Sequence, residues 1–186
     1  MEREAKKPGD ILKHQHEIFS RLAVVASEVI NDYPNGDPTL LGIWEGAEPV
    51  TKDFQKALQA RGRQIEYRAI TFKSYSGTTS SGTIDMVNGL DFNPQGQDLL
   101  LVDDIIDTGR TLQFADKFLR EKGAASVRSF ALLSKPTRRE VAYEPDYVGF
   151  VIPDIWVEGY GMDSDGYGRE NPHIIVGPYA SLNNER

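Results

Sequence analysis

The sequence of 186 residues predicts an α/β domain in which helices flank a central, mostly parallel sheet. Short apolar runs alternate along the chain with segments whose apolar residues recur at helical spacing. Turn residues such as Gly62 and Gly123 follow the helical segments, which is typical of helix ends. We expect one domain over residues 1–186, with a small hood built mainly from residues 153–186; a contribution of the N-terminal segment to that hood is left open.

The N-terminal third reads as a tail, a helix and a βαβ unit. Residues 1–9 are charged and end at Pro8–Gly9, so we expect a frayed tail. Asp10 is predicted to cap a helix over residues 11–31. A strand at 39–44, a helix beginning at Pro49 and a strand at 65–72 then follow, which indicates parallel strands joined by a right-handed crossover.

Residues 74–83 are Ser, Thr or Gly in nine places of ten, the exception being Tyr75. Such a stretch has little apolar surface to bury, so it is either a slack linker or a lid that closes over a ligand. We favour the lid because the stretch falls inside one domain. Residues 83–87 and 90–92, joined by Asn88–Gly89, are predicted to form a hairpin carrying it, so that lid and hairpin together occupy residues 73–92.

The most informative stretch begins with the apolar run Leu99–Val102, which predicts a buried strand. Two carboxylates follow at the expected strand end, and a polar loop leads into a helix. The unpaired backbone N–H groups and the dipole of a helix N-terminus attract anions, so this loop suits a phosphate. The acids suit ribose hydroxyls or a Mg²⁺ ion that carries phosphates. The alternative is a strand, a turn and a helix cap supplied by Asp107 or Thr108.

The remaining chain predicts a strand at 126–134, broken at Lys135–Pro136, and short strands at 147–152, 156–160 and 173–176 around a Gly- and Asp-rich loop. In open α/β sheets ligands lie beyond the carboxyl ends of the strands. The loop at Glu45, the loop after Asp103 and Lys135 are all expected there, so one crevice could hold them all.

The stretch Leu99–Leu112 resembles the signature that binds 5-phosphoribosyl-1-pyrophosphate (PRPP) in type I phosphoribosyltransferases. Residues 143–154 and 156–163 resemble the base-binding segment of the hypoxanthine-guanine (6-oxopurine) branch, and the resemblance extends over about residues 40–175. It implies a type I phosphoribosyltransferase-like fold with a mobile lid loop. It also implies a purine salvage enzyme that uses Mg²⁺ and transfers the phosphoribosyl group from PRPP to N9 of hypoxanthine or guanine, giving IMP or GMP and pyrophosphate.

The resemblance also implies a role for each matched residue. Asp103 and Asp104 match the acids that hold the ribose hydroxyls and assist Mg²⁺ binding, and Asp163 matches a further acid on the magnesium side. Asp107 matches the residue placed near N7 of the purine. The 5′-phosphate cradle comprises Asp107, Thr108, Gly109, Arg110 and Thr111. Glu45 and Gly46 lie where the family's pyrophosphate loop is, a loop that often carries a non-proline cis peptide, and Arg169 is a further pyrophosphate contact. The lid begins at Ser74 and Tyr75. Base binding falls to Lys135 for the 6-oxo group, Trp156 for stacking, Val157 and Asp163.

The chain departs from the family pattern at Glu45, where many relatives carry Lys or Arg. Direct side-chain help to pyrophosphate is therefore not expected there, whereas backbone N–H groups at Gly46 could still bind it. The Gly- and Asp-rich run 163–168 also differs from the bulkier aromatic segment of familiar relatives.

Composition excludes several classes of protein. The net charge of −7 argues against non-specific nucleic-acid binding, and the absence of Cys rules out disulfides and thiolate metal sites. Because the sequence has no apolar signal core and no apolar run of membrane length, we expect a cytoplasmic protein without membrane partners. We also expect a homo-oligomer, either a dimer or a tetramer. Two alternatives use the same fold: transfer to xanthine or another base, and a nucleotide-sensing regulatory protein. A receiver domain is disfavoured because its acid pair lies near the chain start.

Overall fold

A computed structural model describes residues 7–75, 83–87 and 89–178. In chain order its elements are β1 (Ile11–Lys13), α1 (Gln15–Asp32), β2 (Thr39–Ile43), α2 (Glu48–Gln59), β3 (Tyr67–Ile70), β4 (Phe72–Tyr75), β5 (Thr83–Met86), β6 (Asp98–Ile106), α3 (Arg110–Glu121), β7 (Ser126–Ser134), a 3₁₀ turn (Pro136–Arg138), β8 (Tyr147–Val151), β9 (Val157–Glu158) and β10 (Ile174–Val176). No helix within the described ranges is long and apolar enough to cross a membrane.

The main sheet has five parallel strands in the order β3-β2-β6-β7-β8, which confirms the predicted fold class. The central strand β6 is fully buried over Leu99–Val102 because both of its faces are covered. Leu100 and Val102 pack into the core shared with α1 and α2, whereas Leu99 and Leu101 pack into the core shared with α3. This layering places the carboxyl ends of β2, β6 and β7 at one edge.

The prediction of a helix from residue 11 is wrong at its start, because residues 11–13 form a strand. β1 pairs with β10, which pairs with β9, in a small antiparallel sheet; Ile11 lies opposite Ile175. The helix begins only at Gln15, whose N–H donates to His173 Nδ1 at 3.1 Å. Long-range pairing with the end of the chain therefore overrides the local helical pattern. We call these three strands the small sheet.

The predicted hairpin has different partners. β4 pairs with β5, Phe72 opposite Met86, so the single strand expected over 65–72 is split between β3 in the main sheet and β4 outside it. Residues 90–92 form no strand; Leu90 and Phe92 instead pack against the α3-side core. Ser74 and Tyr75 end β4, and most of the predicted lid, residues 76–82, lies outside the described residues.

Candidate active site

The acid pair lies within β6 rather than after its end, which corrects the sequence prediction, because the strand continues to Ile106. Asp103 is 8% exposed and lies opposite Ala131 of β7. Burial and the neighbouring Asp104 charge raise the pKa of Asp103 well above its ordinary value. Burial also raises the pKa of Asp104, although Arg169 opposes the shift. Asp103 is buried and Asp104 is partly buried, so a cation bound beside them would favour their ionised forms.

The loop from β6 to α3 forms a small polar cavity of about 90 Å³. Its lining includes Asp103, Ile105, Ile106, Asp107, Thr108, Gly109, Thr111 and Leu112. The residue before the helix is Gly109, with a φ of 83°, so neither Asp107 nor Thr108 is the cap. A Cβ at position 109 would lie 3.2 Å from Val141 Cγ2, so both the backbone angle and the space favour glycine. The helix N-terminus is thereby left open toward the cavity.

The structure brings all of the predicted phosphate-loop residues to this cavity except one. Thr108 Oγ1 accepts the N–H of Arg110 at 3.4 Å. The Arg110 side chain, however, is half exposed and pairs with Glu140 at 2.7 Å, outside the cavity lining.

A second cavity, of about 220 Å³, lies beside the first, and Ile105 and Asp107 line both. Its other lining residues are Asp104, Lys135, Trp156, Val157, Met162 and Asp163. The structure thus brings together the acid pair, the phosphate loop and the residues predicted for base binding. We call this space the base cavity.

Lys135 follows β7 directly, so the strand carries it to the carboxyl edge of the sheet. Its side chain is 8% exposed, and its Nζ lies 4.0 Å from Asp154 Oδ1. Burial lowers the pKa of Lys135, against the opposing charges of Asp107 and Asp154. A nearly dry ammonium is a strong and selective hydrogen-bond donor, because water competes little for it.

Trp156 and Val157 form one wall of the base cavity. Val157 is buried in β9, whereas Trp156 is 43% exposed and its Nε1 donates to Ser164 Oγ at 2.7 Å. The hydrogen bond fixes the indole plane while leaving ring surface accessible, which suits stacking on an aromatic ligand.

The loop between β2 and α2 approaches the acid pair closely. The Trp44–Glu45 peptide is cis, as the resemblance implies for this loop. A Cβ at Gly46 would lie 1.9 Å from Asp104 Oδ2, and a Cβ at Gly161 would lie 2.2 Å from the Gly46 carbonyl oxygen. Backbone therefore packs on backbone here, and the loop is held between Asp104 and the segment after β9.

Arg169 ties this loop to Asp163. Its guanidinium lies 2.7 Å from Asp163 Oδ1 and 3.6 Å from Glu45 Oε2, and it donates to the Gly161 carbonyl at 2.6 Å. The acidic Glu45 thus has a cationic partner at the same edge of the sheet. Among the described residues, no group of three or more His, Asp or Glu side chains is arranged to hold a metal ion.

Sequence reasoning missed three charged residues around the base cavity: Arg138, Arg139 and Asp154. Arg138 Nε donates to Asp107 Oδ1 at 3.1 Å. Arg139, 9% exposed, donates to the carbonyls of Ile106 and Asp107 at 2.9 and 2.7 Å and so holds the start of the phosphate loop. The doublet Arg138–Arg139, one residue after Lys135–Pro136, was the available signal, since it follows a strand that ends at the site.

The comparisons with known proteins agree with this geometry. The family model of the phosphoribosyl transferase domain matches residues 8–165. The hypoxanthine-guanine phosphoribosyltransferase of Lactococcus lactis is 35% identical over 167 residues, which is 89% of each chain. The hypoxanthine phosphoribosyltransferase of Trypanosoma cruzi, solved in complex with the product IMP, superposes with a TM-score of 0.85 at 31% identity, covering 94% of this chain and 96% of that one.

A second kind of relative is longer. The bifunctional protein TilS/HprT of Listeria innocua is 34% identical over 167 residues, but the match covers 89% of this chain and only 25% of that protein. The chain therefore spans about a quarter of the length of these bifunctional relatives.

Proposed function

Because the chain belongs to the phosphoribosyl transferase family, we propose that it is an enzyme that transfers the 5-phosphoribosyl group of PRPP to N9 of hypoxanthine or guanine. The products are IMP or GMP and pyrophosphate. The observation that carries this proposal is the buried Lys135 ammonium in a cavity that adjoins the phosphate loop through Asp107.

The choice of base follows from the chemistry of Lys135. An ammonium has three donors and no acceptor, so it complements an oxygen at the purine 6-position. Adenine presents an amino group there, which leaves buried donors unpaired. A site built around a hydrogen bond rejects an analogue lacking it far more strongly than an apolar pocket rejects a change of size. Trp156 stacks on any purine, and Val157 supplies backbone contacts.

The phosphoribosyl group occupies the smaller cavity and the space between the two cavities. The N–H groups at the start of α3, with the hydroxyls of Thr108 and Thr111, bind the 5′-phosphate. The carboxyls of Asp103 and Asp104 accept the ribose hydroxyls. Pyrophosphate lies against the backbone of Gly46, with Arg169 supplying the positive side chain that Glu45 does not.

Magnesium fits this donor set. Mg²⁺ is usually held by one or two carboxylates together with substrate phosphates. Asp103 and Asp104 are adjacent, and Asp163 lines the same cavity as Asp104, so carboxyl oxygens are available there to hold the ion. Burial favours the neutral form of the two adjacent acids, and a bound cation would favour their ionised form instead. When bound, the ion supplies stabilisation of the charge that grows on pyrophosphate.

In the transfer itself, N9 of the base forms a bond to C1 of the ribose while the bond from C1 to the pyrophosphate oxygen breaks. Asp107, which lines both cavities, lies where it can accept the proton that the base loses or can stabilise its N7–H tautomer. Much of the remaining work is alignment of the two substrates and exclusion of water from the ribosyl centre.

The test is PRPP-dependent release of pyrophosphate with a panel of bases. We expect turnover with hypoxanthine or guanine and very little with adenine, orotate or uracil. Efficient use of adenine would refute the base assignment, and xanthine as the sole efficient base would support the alternative branch. Nucleotide binding without turnover of any base would replace the enzyme with a regulatory binding protein.

We also propose that the chain forms a homo-oligomer, either a dimer or a tetramer. Exposed apolar side chains on α1, Phe19 at 43% and Val24 at 51%, are available for a second copy to cover. Sedimentation at micromolar concentration tests this, and a monomer under those conditions would contradict it.

A further inference from the structure

Four charged side chains meet at one edge of the base cavity, and their pairing is unequal. The carboxylate of Asp107 accepts a hydrogen bond from Arg138 Nε at 3.1 Å. The same guanidinium places NH1 3.8 Å from Asp154 Oδ2, and Lys135 Nζ lies 4.0 Å from the other oxygen of Asp154. Asp107 and Asp154 both act electrostatically on Lys135 as well. Each of the two carboxylates can therefore interact with either Arg138 or Lys135.

The chain delivers both cations by one short turn. Lys135 follows β7, and the 3₁₀ turn Pro136–Arg138 comes next, closed by the hydrogen bond from Arg138 N–H to the Lys135 carbonyl at 3.0 Å. Pro136 restricts the backbone at the start of that turn. Arg138 is thereby set beside the cavity, with its side chain about half exposed.

Resting on the proposed function, we propose that Arg138 is a positioning residue that holds the Asp107 carboxylate away from Lys135, so that Lys135 stays free for the 6-oxo group while Asp107 faces the imidazole side of the purine. A guanidinium suits this role because its planar fork can engage two carboxylates at once. Lys135 lines the same cavity as Asp107, so without Arg138 its buried ammonium is available to pair with Asp107. A direct pair between them would occupy both groups that the purine needs.

The neighbouring Arg139 has a different task, which makes the two separable. Arg139 is buried and holds backbone carbonyls of the phosphate loop, so its loss is expected to disturb the fold locally. Arg138 contacts side chains at the surface of the cavity, so its replacement is expected to leave the loop intact. The effect of Arg138 should therefore be seen in turnover of the base and not in stability.

The experiment is a double-mutant cycle of Arg138→Gln and Asp107→Asn, with Arg138→Lys as the conservative variant. We expect Arg138→Gln to lower kcat about tenfold, since small misplacements of catalytic groups carry effects of this order or larger. The KM for the 6-oxopurine should rise, while the KM for PRPP and the urea unfolding midpoint should stay unchanged. In the Asp107→Asn background, the penalty of Arg138→Gln should fall below about twofold, because the carboxylate to be held is gone. Arg138→Lys should restore part of kcat.

The matched control is Arg120→Gln. Arg120 also pairs with an aspartate, Asp116, and is similarly exposed, but it lies about 15 Å further along α3 from the phosphate loop at 1.5 Å per residue. It should keep wild-type kinetics. An Arg138→Gln penalty that persists in full in the Asp107→Asn background, or that equals that of Arg120→Gln, would overturn the inference while leaving the proposed function intact. A wild-type protein that turns over no base refutes the proposed function and this inference with it.

Discussion

Replacing Lys135 with methionine is the sharpest test of how the site selects its base. Methionine keeps an unbranched apolar stem of similar length and removes the ammonium, so the packing of the 8%-exposed side chain is largely preserved. We expect kcat/KM for hypoxanthine and guanine to fall and the low value for adenine to stay nearly constant.

The magnitude follows from the burial of the ammonium. Hydrogen bonds to charged groups are worth about 1.5–3 kcal/mol, and the full value applies where water is largely excluded, as it is around this side chain. At about 1.4 kcal/mol per factor of ten, the loss corresponds to roughly 10- to 150-fold in kcat/KM. The ratio of hypoxanthine to adenine activity should shrink by the same factor, because adenine does not make the lost bond.

The assay measures pyrophosphate release with hypoxanthine, guanine, xanthine and adenine in the wild type, Lys135→Met, Lys135→Ala and Lys122→Met. Lys122 follows α3 and is exposed, so its replacement should change none of the four values. The alanine variant should lose the same selectivity as methionine and some stability in addition. Equal loss of activity toward all four bases, or none, would refute the assignment of Lys135 to the 6-oxo group.

Three further predictions concern the acids and the glycine contact of the crevice. Asp107→Asn should lower kcat by about 10²–10⁴-fold with an unchanged urea midpoint; wild-type kcat would remove its role at the base. Asp104→Asn should weaken calorimetric Mg·PRPP binding yet raise the free energy of unfolding of the free protein at pH 7, because it removes a carboxyl whose pKa burial raises. Burial raises the pKa of both acids in the folded state, so their contribution to stability is complete at low pH and is lost as the pH rises above about 4. Urea titrations in chelator at pH 3.5 and 7 should therefore show the increase in unfolding free energy of Asp104→Asn only at pH 7. An equal increase at both pH values would contradict this reasoning. Gly161→Ala should raise the KM for PRPP and lower Tm more than Gly62→Ala does. Both glycines have positive φ, but only at Gly161 would the added Cβ meet an atom, the Gly46 carbonyl oxygen at 2.2 Å. Equal losses of Tm in the two variants would argue against this contact.

The parts of the site that the sequence predicts well are local. β6, the phosphate loop and the start of α3 are consecutive in the sequence. Their order along the chain therefore predicts a strand, a polar loop and a helix N-terminus from the apolar run Leu99–Val102, Gly109 and the two threonines. Lys135 is of the same kind, because it follows a buried strand directly. The comparisons with relatives confirm the family that these motifs predict.

The parts that sequence reasoning missed depend on contacts between distant residues. The helical pattern over residues 11–13 gives way to pairing with β10, which only the fold brings near. Arg138 pairs with Asp107, 31 positions earlier, and a surface arginine looks the same in sequence whether or not such a partner exists. The strand end after Val102 was predicted too early. Charged side chains usually mark strand ends, but here β7 supplies partners for Ile105 and Ile106 beyond the acid pair.

The two halves of the site differ in how far apart in the sequence their contacting residues lie, because one half depends on the small sheet. The phosphate cradle is made within residues 103–112, whereas the wall that carries Val157 rests on β10, which is paired with Ile11 some 160 residues earlier. Loop-closure entropy makes distant pairings slow to form. During refolding, the phosphate end of the crevice should therefore become competent before the purine end. Conversely, when heat or urea partly unfolds the protein, binding of the base should be lost before binding of phosphate.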